Sequence, residues 1–283
     1  MPPKRTLLSI LLFVVVLIVV VVFLSLLVFV LWFGLTNITG ITSNISRTKT
    51  QNKCVIYAHR GTPKHPTKEN TISAFKEAII QGTDAIETDV FVTKDRYIVL
   101  SHDSTTICHD GIKRKIASVS RENIPNDTLE DALLNINLPF SVDIKSKHKD
   151  AVQLVIDTIY KCHAENRVIL TSFSSKTLAR IRSLKYRGKI GMSQKDVLKV
   201  IMLPKRYLNH YRGCVAQIPY TFFDMNLATK TIVDKLHSLG IEIHYWTVND
   251  PLLASYLLDI GVDGIVTDKP EMIRRVISSK YTS

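Results

Sequence analysis

The sequence has 283 residues, of which 46% are hydrophobic, and its formal net charge is +12. Its lysines and arginines are scattered, and no basic motif with interleaved aromatic residues occurs, which argues against a nucleic-acid partner. A basic domain suits phosphate-containing substrates and anionic lipid headgroups, although a solvated basic surface without a partner has the same composition.

The first predicted element is a long apolar segment. Residues 7–33 contain only apolar side chains apart from Ser9 and Ser25. A segment of this length can cross a bilayer core of about 30 Å, and it exceeds the roughly 7–15 apolar residues of a cleavable signal peptide. A buried helix of a soluble domain normally keeps a polar face, which this segment lacks. We therefore predict a transmembrane anchor at 7–33, after a short tail at 1–6.

Charges and sequons around this segment indicate its orientation. Lys4 and Arg5 precede it, and the first charged residue after it is Arg47. By the positive-inside rule, the N-terminus is cytoplasmic and the following domain is lumenal or extracellular. Glycosylation sequons agree with this orientation and begin at Asn37, Asn44 and Asn126. We predict a single-pass membrane protein, in which residues 34–53, rich in Thr, Ser and Asn, form a polar stalk.

Residues 54–283 are predicted to alternate between strands and helices as one catalytic domain. Short apolar runs predict strands at 54–58, 85–92, 97–100, 140–144, 168–171, 189–192, 214–218, 241–248 and 264–267. Apolar residues at helical spacing predict helices at 71–80, 129–134, 151–160, 178–184, 197–203, 232–239, 252–260 and 271–277. This alternation favours an α/β fold with a parallel sheet, either a TIM (β/α)8 barrel or a doubly wound open sheet.

Polar residues at strand ends favour the barrel. The candidate segments lie at residues 58–61, 87–89, 101–103, 143–145 and 246–250. Barrel enzymes build their active sites at the C-terminal ends of several strands, whereas an open sheet concentrates its site at one crevice. Because side chains two residues apart share a strand face, Glu87 and Asp89 point the same way, and so do Asp143 and Lys145.

These residue types indicate a metal site. The carboxylates of Glu87, Asp89 and Asp143 would repel one another at one rim unless a cation lay between them. A hard divalent ion, Ca²⁺ or Mg²⁺, prefers such oxygen ligands. A single Glu-x-Asp pair is more often a surface salt-bridge partner, so the prediction depends on all three acids meeting.

The remaining polar residues indicate phosphodiester cleavage. His59 and His102 can act as acid and base on the two sides of a scissile bond. Arg60 and Lys145 can neutralise a phosphate, Arg60 through its planar guanidinium. A lone His-Asp pair usually marks a turn and a lone Asp-x-Lys an ion pair. Their order at successive strand ends is what favours a shared site.

The segment 57–103 resembles the glycerophosphodiester phosphodiesterase family. The matching residues are His59-Arg60-Gly61, Glu69-Asn70-Thr71, Gly82-Thr83-Asp84, Glu87-x-Asp89, Thr93-Lys94-Asp95 and His102-Asp103. Later matches follow in the same order and are Leu129-Glu130-Asp131, Asp143-Ile144-Lys145, Thr171-Ser172-Phe173, Trp246-Thr247-Val248-Asn249 and residues 261–270.

The resemblance implies a TIM barrel and a role for each candidate residue. The catalytic acid and base would be His59 and His102. The ligands of one divalent metal ion, Ca²⁺ or Mg²⁺, would be Glu87, Asp89 and Asp143. Phosphate and substrate would be bound by Arg60, Lys145 and Trp246. These residues would be supported by Glu69, Asn70 and Asp103.

Two departures from the family pattern bear on the substrate. Many members have Glu where this chain has Asp143, and Asp here together with one N-terminal span resembles membrane-anchored members that act as lysophospholipase D. The insertion after His102-Asp103 is short, residues 104–128, which predicts an open site. The predicted substrates are glycerophosphodiesters, giving glycerol 3-phosphate and an alcohol, or alternatively lysophospholipids. Water or a substrate hydroxyl can be the nucleophile.

Two further hypotheses concern inactivity and disulfides. A catalytically silent, membrane-anchored binding module would have lost a histidine or a metal ligand, and none is lost. The cysteines are Cys54, Cys108, Cys162 and Cys214. They lack the close paired spacing of a zinc site. A lumenal location would permit disulfides, but the sequence does not choose among the three full pairings. Buried free thiols are therefore the default prediction.

Overall fold

The protein is described by a computed structural model at residues 14–21, 23–25, 54–62, 69–222 and 225–281. The chain divides into two units, Met1–Gln51 and Asn52–Ser283. In the first, residues 14–21 and 23–25 are helical, and their side chains are exposed. No helix within the described ranges is long and apolar enough to cross a membrane. The predicted tail at 1–6, the stalk at 34–53 and most of the segment at 7–33 lie outside the described residues.

The second unit alternates between strands and helices. The strands are β1 (Val55–His59), β2 (Ala85–Val92), β3 (Ile98–Leu100), β4 (Thr105–Ile107), β5 (Lys113–Lys115), β6 (Phe140–Ile144), β7 (Val168–Thr171), β8 (Lys189–Ile190), β9 (Val215–Pro219), β10 (Thr221–Phe222), β11 (Met225–Asn226), β12 (Glu242–Trp246) and β13 (Gly264–Thr267). The helices are α1 (Ile72–Ile80), α2 (Leu129–Asn135), α3 (Ala151–Lys161), α4 (Ser175–Ser183), α5 (Gln194–Met202), α6 (Lys230–His237), α7 (Pro251–Ile260) and α8 (Pro270–Tyr281).

The main sheet forms a near-closed barrel. Its parallel strands follow the order β8-β7-β6-β2-β1-β13-β12-β9. The two ends of this order meet at a parallel bridge between Gly191 and Val215, where the Met192 N–H donates to the Val215 carbonyl at 3.0 Å. Each barrel strand is followed by a helix, so the (β/α)8 prediction is confirmed and a doubly wound open sheet is excluded.

One predicted strand lies outside the ring. Residues 97–100 were expected to join the alternation, but β3 is antiparallel and pairs with the last three residues of β2. The reason is the length of β2, which extends past its partner strands and exposes a free edge there. The hairpins β4–β5 and β10–β11 were not predicted, because their strands are only two or three residues long.

Alternating side chains divide the barrel into an outer core and a small inner one. Two large apolar clusters fill the space between the strands and the helices. Inside the barrel, a smaller buried cluster contains Tyr57, Ala85, Ile169, Val215 and Val266. This inner cluster separates a polar layer at the C-terminal rim from another at the opposite end, here called the floor. Cys54, Cys108 and Cys214 are buried free thiols, and Cys162 is free and half-buried.

Candidate active site

Strand register brings the predicted site residues to one end of the barrel. His59, the last residue of β1, pairs with Glu87 on β2. On the other side of β2, Asp89 pairs with Asp143 on β6. Residues in register on neighbouring strands point to the same face, so all four side chains enter the barrel at its C-terminal rim.

A cavity of about 320 Å³ opens at this rim. Its lining includes each predicted catalytic, metal-binding, phosphate-binding and substrate-binding residue: His59, Arg60, Glu87, Asp89, His102, Asp143, Lys145 and Trp246. The predicted supporting residues Glu69, Asn70 and Asp103 each hydrogen-bond to one of these. The structure therefore brings together the whole predicted set.

Lys145 lies between two of the three carboxylates. Its Nζ atom is 3.2 Å from Asp89 Oδ1 and 2.8 Å from Asp143 Oδ2. Asp89 and Asp143 have only 2% and 6% of their surface exposed. Buried carboxylates require a compensating cation, because removing a charge from water is costly. Burial lowers the pKa of Lys145, but the two carboxylates outweigh that effect and raise the pKa above its ordinary value.

Lys145 and Arg60 do not balance the three carboxylates, because the Arg60 guanidinium is shared between Asp89 and Glu69. Burial raises the pKa of Glu87 well above its ordinary value, and the charges of Asp89 and Asp143 raise it further. Burial also raises the pKa of Asp143, although Lys145 acts in the opposite direction. Asp143 Oδ1 is buried and has no hydrogen-bond partner among the described residues. Excess negative charge and an unsatisfied oxygen are what an additional cation would relieve.

A preformed metal site is not seen. Within the part of the chain that the structure describes, no group of three or more His, Cys, Asp or Glu side chains is arranged to hold a metal ion. Among the predicted ligands, Asp89 and Asp143 contact Lys145, and Glu87 accepts from the backbone N–H of Arg60. The chemistry of the donors still fits, because carboxylate oxygens are the ligands that Ca²⁺ and Mg²⁺ prefer.

Arg60 links the loop after β1 to the carboxylates. Its backbone N–H donates to Glu87 Oε2 at 3.1 Å. Its Nη1 donates to both oxygens of Glu69, at 3.0 and 3.2 Å, and its Nε is 3.6 Å from Asp89 Oδ2. The turn continues through Gly61, whose φ is +82° and whose missing Cβ would lie 2.7 Å from the Phe75 ring. These contacts hold the guanidinium at the cavity wall.

Asn70 positions Asp89. Its Oδ1 accepts hydrogen bonds from Thr88 Oγ1 at 2.7 Å and from the Asp89 backbone N–H at 3.1 Å. Its Nδ2 donates to Asp89 Oδ2 at 3.4 Å. Asn70 has a left-handed φ of 54°, a conformation that Asn tolerates better than most residues. Asn70 is buried, and its side-chain amide therefore holds the Asp89 carboxylate in place.

His59 is oriented by a carboxylate from the far end of the chain. Its Nδ1 lies 2.7 Å from Asp268 Oδ1, and Asn249 Nδ2 donates to Asp268 Oδ2 at 2.6 Å. Burial raises the pKa of Asp268, but the hydrogen bonds from His59 and Asn249 outweigh it, so the pKa lies below its ordinary value. An ionised Asp268 accepts the Nδ1 proton, which leaves Nε2 as the ring nitrogen available for proton transfer.

His102 reaches the cavity from the segment after β3. Its Nδ1 is 3.0 Å from Asp103 Oδ1, and 37% of its side chain is exposed. The preceding residue, Ser101, donates its backbone N–H to the Asp89 carbonyl at 2.9 Å, which ties this segment to the rim. His102 is thus the more solvent-accessible of the two predicted catalytic histidines, since the His59 side chain is 25% exposed.

Aromatic side chains form another side of the cavity. Phe173, in the loop after β7, packs edge-to-face against Trp246 with ring centroids 6.0 Å apart. Lys145 Nζ lies 4.8 Å from the centroid of the Phe173 ring, within range of a cation–π interaction. Phe173 is 56% exposed, so this wall of the cavity extends from Lys145 to solvent.

Asp268 and Phe173 belong to the site, although no role was predicted for either from the sequence. Both belong to segments that carry the family resemblance, residues 261–270 and 171–173, but nothing in their local sequence predicts which side chain they contact. Asp268 meets His59 across 209 residues of chain. The signal that could have found it is its place directly after the last barrel strand, where rim residues are expected.

The chain is similar to known proteins over most of its second unit. Residues 59–272 match the model of the Glycerophosphoryl diester phosphodiesterase family. The chain is 30% identical over 243 residues to a Glycerophosphodiester phosphodiesterase of Bacillus altitudinis, covering 76% of this chain and 95% of the relative. It is 24% identical over 253 residues to human Lysophospholipase D GDPD1, covering 73% and 81%.

Solved structures share the fold. A phosphodiesterase from Oleispira antarctica, in complex with the product sn-glycerol-3-phosphate, matches with a TM-score of 0.62 and 20% identity, covering 79% of this chain and 96% of that one. A glycerophosphodiester phosphodiesterase from Parabacteroides distasonis matches with a TM-score of 0.62 and 22% identity, covering 80% and 98%. At these identities the likeness concerns the barrel itself.

Proposed function

Because the chain belongs to the glycerophosphoryl diester phosphodiesterase family, we propose that its rim cavity hydrolyses glycerophosphodiesters to glycerol 3-phosphate and an alcohol. The observation that supports this most directly is the His59–Asp268 pair in a cavity that also contains His102, Arg60 and Lys145. A silent binding module would not need an oriented imidazole beside a second histidine. The product named for the Oleispira antarctica neighbour is consistent with the same reaction.

The two histidines transfer the protons of the reaction. Asp268 holds the Nδ1 proton of His59, so that Nε2 exchanges a proton with the substrate. Asp103 contacts Nδ1 of His102 in the same way. One imidazole accepts the proton of the nucleophile, and the other protonates the departing alcohol oxygen. Attack by water gives glycerol 3-phosphate directly, whereas attack by a glycerol hydroxyl gives a cyclic phosphate that water must then open. Such positioned proton transfer contributes roughly 10²–10⁴-fold to rate.

Two cations neutralise the phosphate. Arg60 presents a planar guanidinium, held by Glu69, at the cavity wall. Lys145, directly after β6, presents an ammonium group beside Asp89 and Asp143. Both charges are fixed before the substrate binds, so they stabilise the negative charge that grows on the phosphoryl oxygens without reorganisation.

The carboxylate cluster is proposed to bind one divalent cation. Glu87, Asp89 and Asp143 would hold it, and Ca²⁺ and Mg²⁺ both suit their oxygen atoms. The unsatisfied Asp143 Oδ1 supports this, and so do the charges of Asp89 and Asp143, which add to burial in raising the pKa of Glu87. When bound, the ion would polarise a phosphoryl oxygen.

A direct test is release of glycerol 3-phosphate from glycerophosphocholine by the full-length chain in detergent. Activity should require Ca²⁺ or Mg²⁺, disappear with EDTA and be lost in His59→Ala. A folded wild-type protein that hydrolyses no glycerophosphodiester with either metal would contradict the proposal.

A second candidate substrate is a lysophospholipid. The exposed Phe173 ring beside Trp246 supports it, because an apolar wall at the cavity mouth can contact an acyl chain. The relative named lysophospholipase D is consistent with it. Choline release from lysophosphatidylcholine, measured beside glycerophosphocholine, distinguishes the two substrates by their kcat/KM values.

Membrane attachment is proposed from the sequence. Residues 7–33 would anchor the chain with its N-terminus in the cytoplasm and the catalytic unit in the lumen or outside the cell. The full chain should then resist alkaline extraction from membranes, and residues 54–283 should be protected from protease in sealed vesicles. Recovery of the full chain in the soluble fraction would refute the anchor.

A further inference from the structure

A second cavity adjoins the catalytic one on the side of β6 and β7. Its volume is about 590 Å³, and it shares Asp143, Lys145, Ser172 and Phe173 with the catalytic cavity. A molecule bound at the catalytic centre can therefore extend into it directly. We call it the basic groove, after the residues that line its outer part: Lys147, His148, Lys149, Lys176 and Arg180.

The outer cations of the basic groove differ from Lys145 at its inner end, which contacts two carboxylates. The side chains of Lys147, Lys149, Lys176 and Arg180 are exposed. None of the four has an ion-pair partner among the residues that the structure describes. Exposed lysines without an ion-pair partner among the described residues also occur elsewhere on the barrel, for example Lys76 and Lys199. The four cations of the basic groove differ from these by lining one cavity beside the catalytic centre.

The nearby acids do not neutralise these charges. Asp143, at the inner end of the basic groove, contacts Lys145 at 2.8 Å. Asp150, next in sequence to Lys149, contacts Arg96 at 3.0 Å. The N-terminal ends of α3 and α4 also line the basic groove, and their helix dipoles add positive potential there. The basic groove is therefore electropositive along its length.

We propose that the basic groove is a second anion subsite, and that the preferred substrates are glycerophosphodiesters whose alcohol bears an additional phosphomonoester. The inference rests on the hydrolytic function proposed above. The scissile phosphodiester has one negative charge, which Arg60 and Lys145 can balance, so it does not require the outer cations. A phosphomonoester adds nearly two negative charges, whereas a choline headgroup would be repelled by the same surface.

A matched substrate pair tests this proposal. Glycerophosphoinositol 4-phosphate and glycerophosphoinositol differ only by the additional phosphomonoester. The full-length chain should hydrolyse the phosphorylated substrate with at least about tenfold higher kcat/KM, because charge-assisted contacts to a phosphate are strong. The ratio should fall as salt is raised, since exposed charges are screened. Equal kcat/KM values for the two substrates would overturn the subsite.

A charge-neutralising triple variant tests which residues are responsible. In Lys147→Gln/Lys149→Gln/Lys176→Gln, the ratio of kcat/KM values should approach one. The matched control, Lys76→Gln/Lys199→Gln/Lys205→Gln, removes three exposed charges that do not line the basic groove and should keep the wild-type ratio. Equal thermal midpoints would show that both variants are folded. A triple variant that keeps the full preference would refute the assignment.

A binding measurement separates the subsite from the hydrolytic function. Calorimetric titration with inositol 1,4-bisphosphate and with inositol 1-phosphate should show tighter binding of the bisphosphate, and the triple variant should lose that difference. If no diester is hydrolysed but this difference is found, the proposed reaction fails and the subsite stands. If the triple variant instead lowers kcat/KM only for substrates presented in anionic micelles, the lysines contact a lipid surface and the proposed subsite is refuted.

Discussion

The rim and the floor of the barrel each contain a histidine that faces inward, yet the two have opposite environments. His59 at the rim is 25% exposed and contacts an ionised carboxylate, Asp268, at 2.7 Å. His244, toward the floor, is 1% exposed, packs against the tilted Tyr57 ring with centroids 4.9 Å apart and contacts Gln217 Nε2 at 3.2 Å. Burial lowers the pKa of His244 to about 4, so it stays neutral. Location along the strand decides whether an imidazole serves chemistry or packing.

The largest expected difference between the two layers comes from replacing these histidines. His59→Gln should lower kcat roughly 10²–10⁴-fold, because it removes a proton-transfer group, while leaving the thermal midpoint nearly unchanged. His244→Gln should retain activity and lose about 1–3 kcal/mol of unfolding free energy, because it disrupts a buried hydrogen bond. Steady-state kinetics and urea unfolding measure both. Loss of activity without loss of stability in His244→Gln would contradict the comparison.

Two His–Asp pairs give a second, smaller contrast. Asp268→Asn at the rim should lower kcat about 10²-fold, because His59 loses the acceptor that fixes its tautomer. Asp263 at the floor contacts His237 Nε2 at 2.7 Å and also accepts from the Ile243 backbone N–H at 2.9 Å. Asp263→Asn should therefore reduce stability and spare kcat. If Asp268→Asn keeps wild-type kcat across the pH range, Asp268 does not position the catalytic imidazole.

The carboxylate cluster should make the metal-free protein sensitive to pH. The folded state raises the pKa of Glu87 above 4.5, so the stabilising contribution of its protonated form is complete below 4.5 and is lost as pH rises through the raised value. In EDTA, the wild type should lose unfolding free energy over that range relative to Glu87→Gln. Added Ca²⁺ or Mg²⁺ should restore it in the wild type only. If the unfolding free energy in EDTA changed with pH equally in the wild type and in Glu87→Gln, the raised pKa of Glu87 would not contribute to stability.

The smallest expected effect concerns the aromatic wall. Phe173→Ala should raise KM for lysophosphatidylcholine about threefold through loss of apolar contact, with little change for glycerophosphocholine. Leu134→Ala, which alters another exposed apolar side chain near the C-terminal end of α2, is the control and should leave both KM values unchanged. An equal change for the two substrates would mean that Phe173 does not contact the acyl chain.

Local pattern was enough to predict most of the barrel. The short, largely apolar runs at residues 85–92, 140–144, 168–171 and 264–267 predicted β2, β6, β7 and β13 at their observed bounds. Such strands are set by neighbouring residues in sequence, because alternation and β-branched side chains act locally. The same spacing rule predicted that Glu87 and Asp89 share a face, and the structure confirms it.

Prediction was weaker where structure depends on distant chain segments. Residues 97–100 have strand-forming composition, but only the free edge of β2 determines that they pair antiparallel outside the ring. The hairpin at Thr105–Ile107 and Lys113–Lys115 is too short for its pattern to stand out from a loop. Nothing local to Lys145 indicates that it bridges Asp89 as well as Asp143.

The sequence by itself determined the strand–helix alternation, the polar residues at strand ends and their phosphodiesterase character, because these follow from side-chain type and short-range periodicity. Tertiary structure alone decided the near-closure of the sheet at Gly191 and Val215 and the pairing of His59 with Asp268, 209 residues away. It also decided which charges are compensated and which, as at Glu87 and along the basic groove, are not. The physical reason is that burial and Coulomb energy depend on distances in space, which strand register sets and sequence spacing does not.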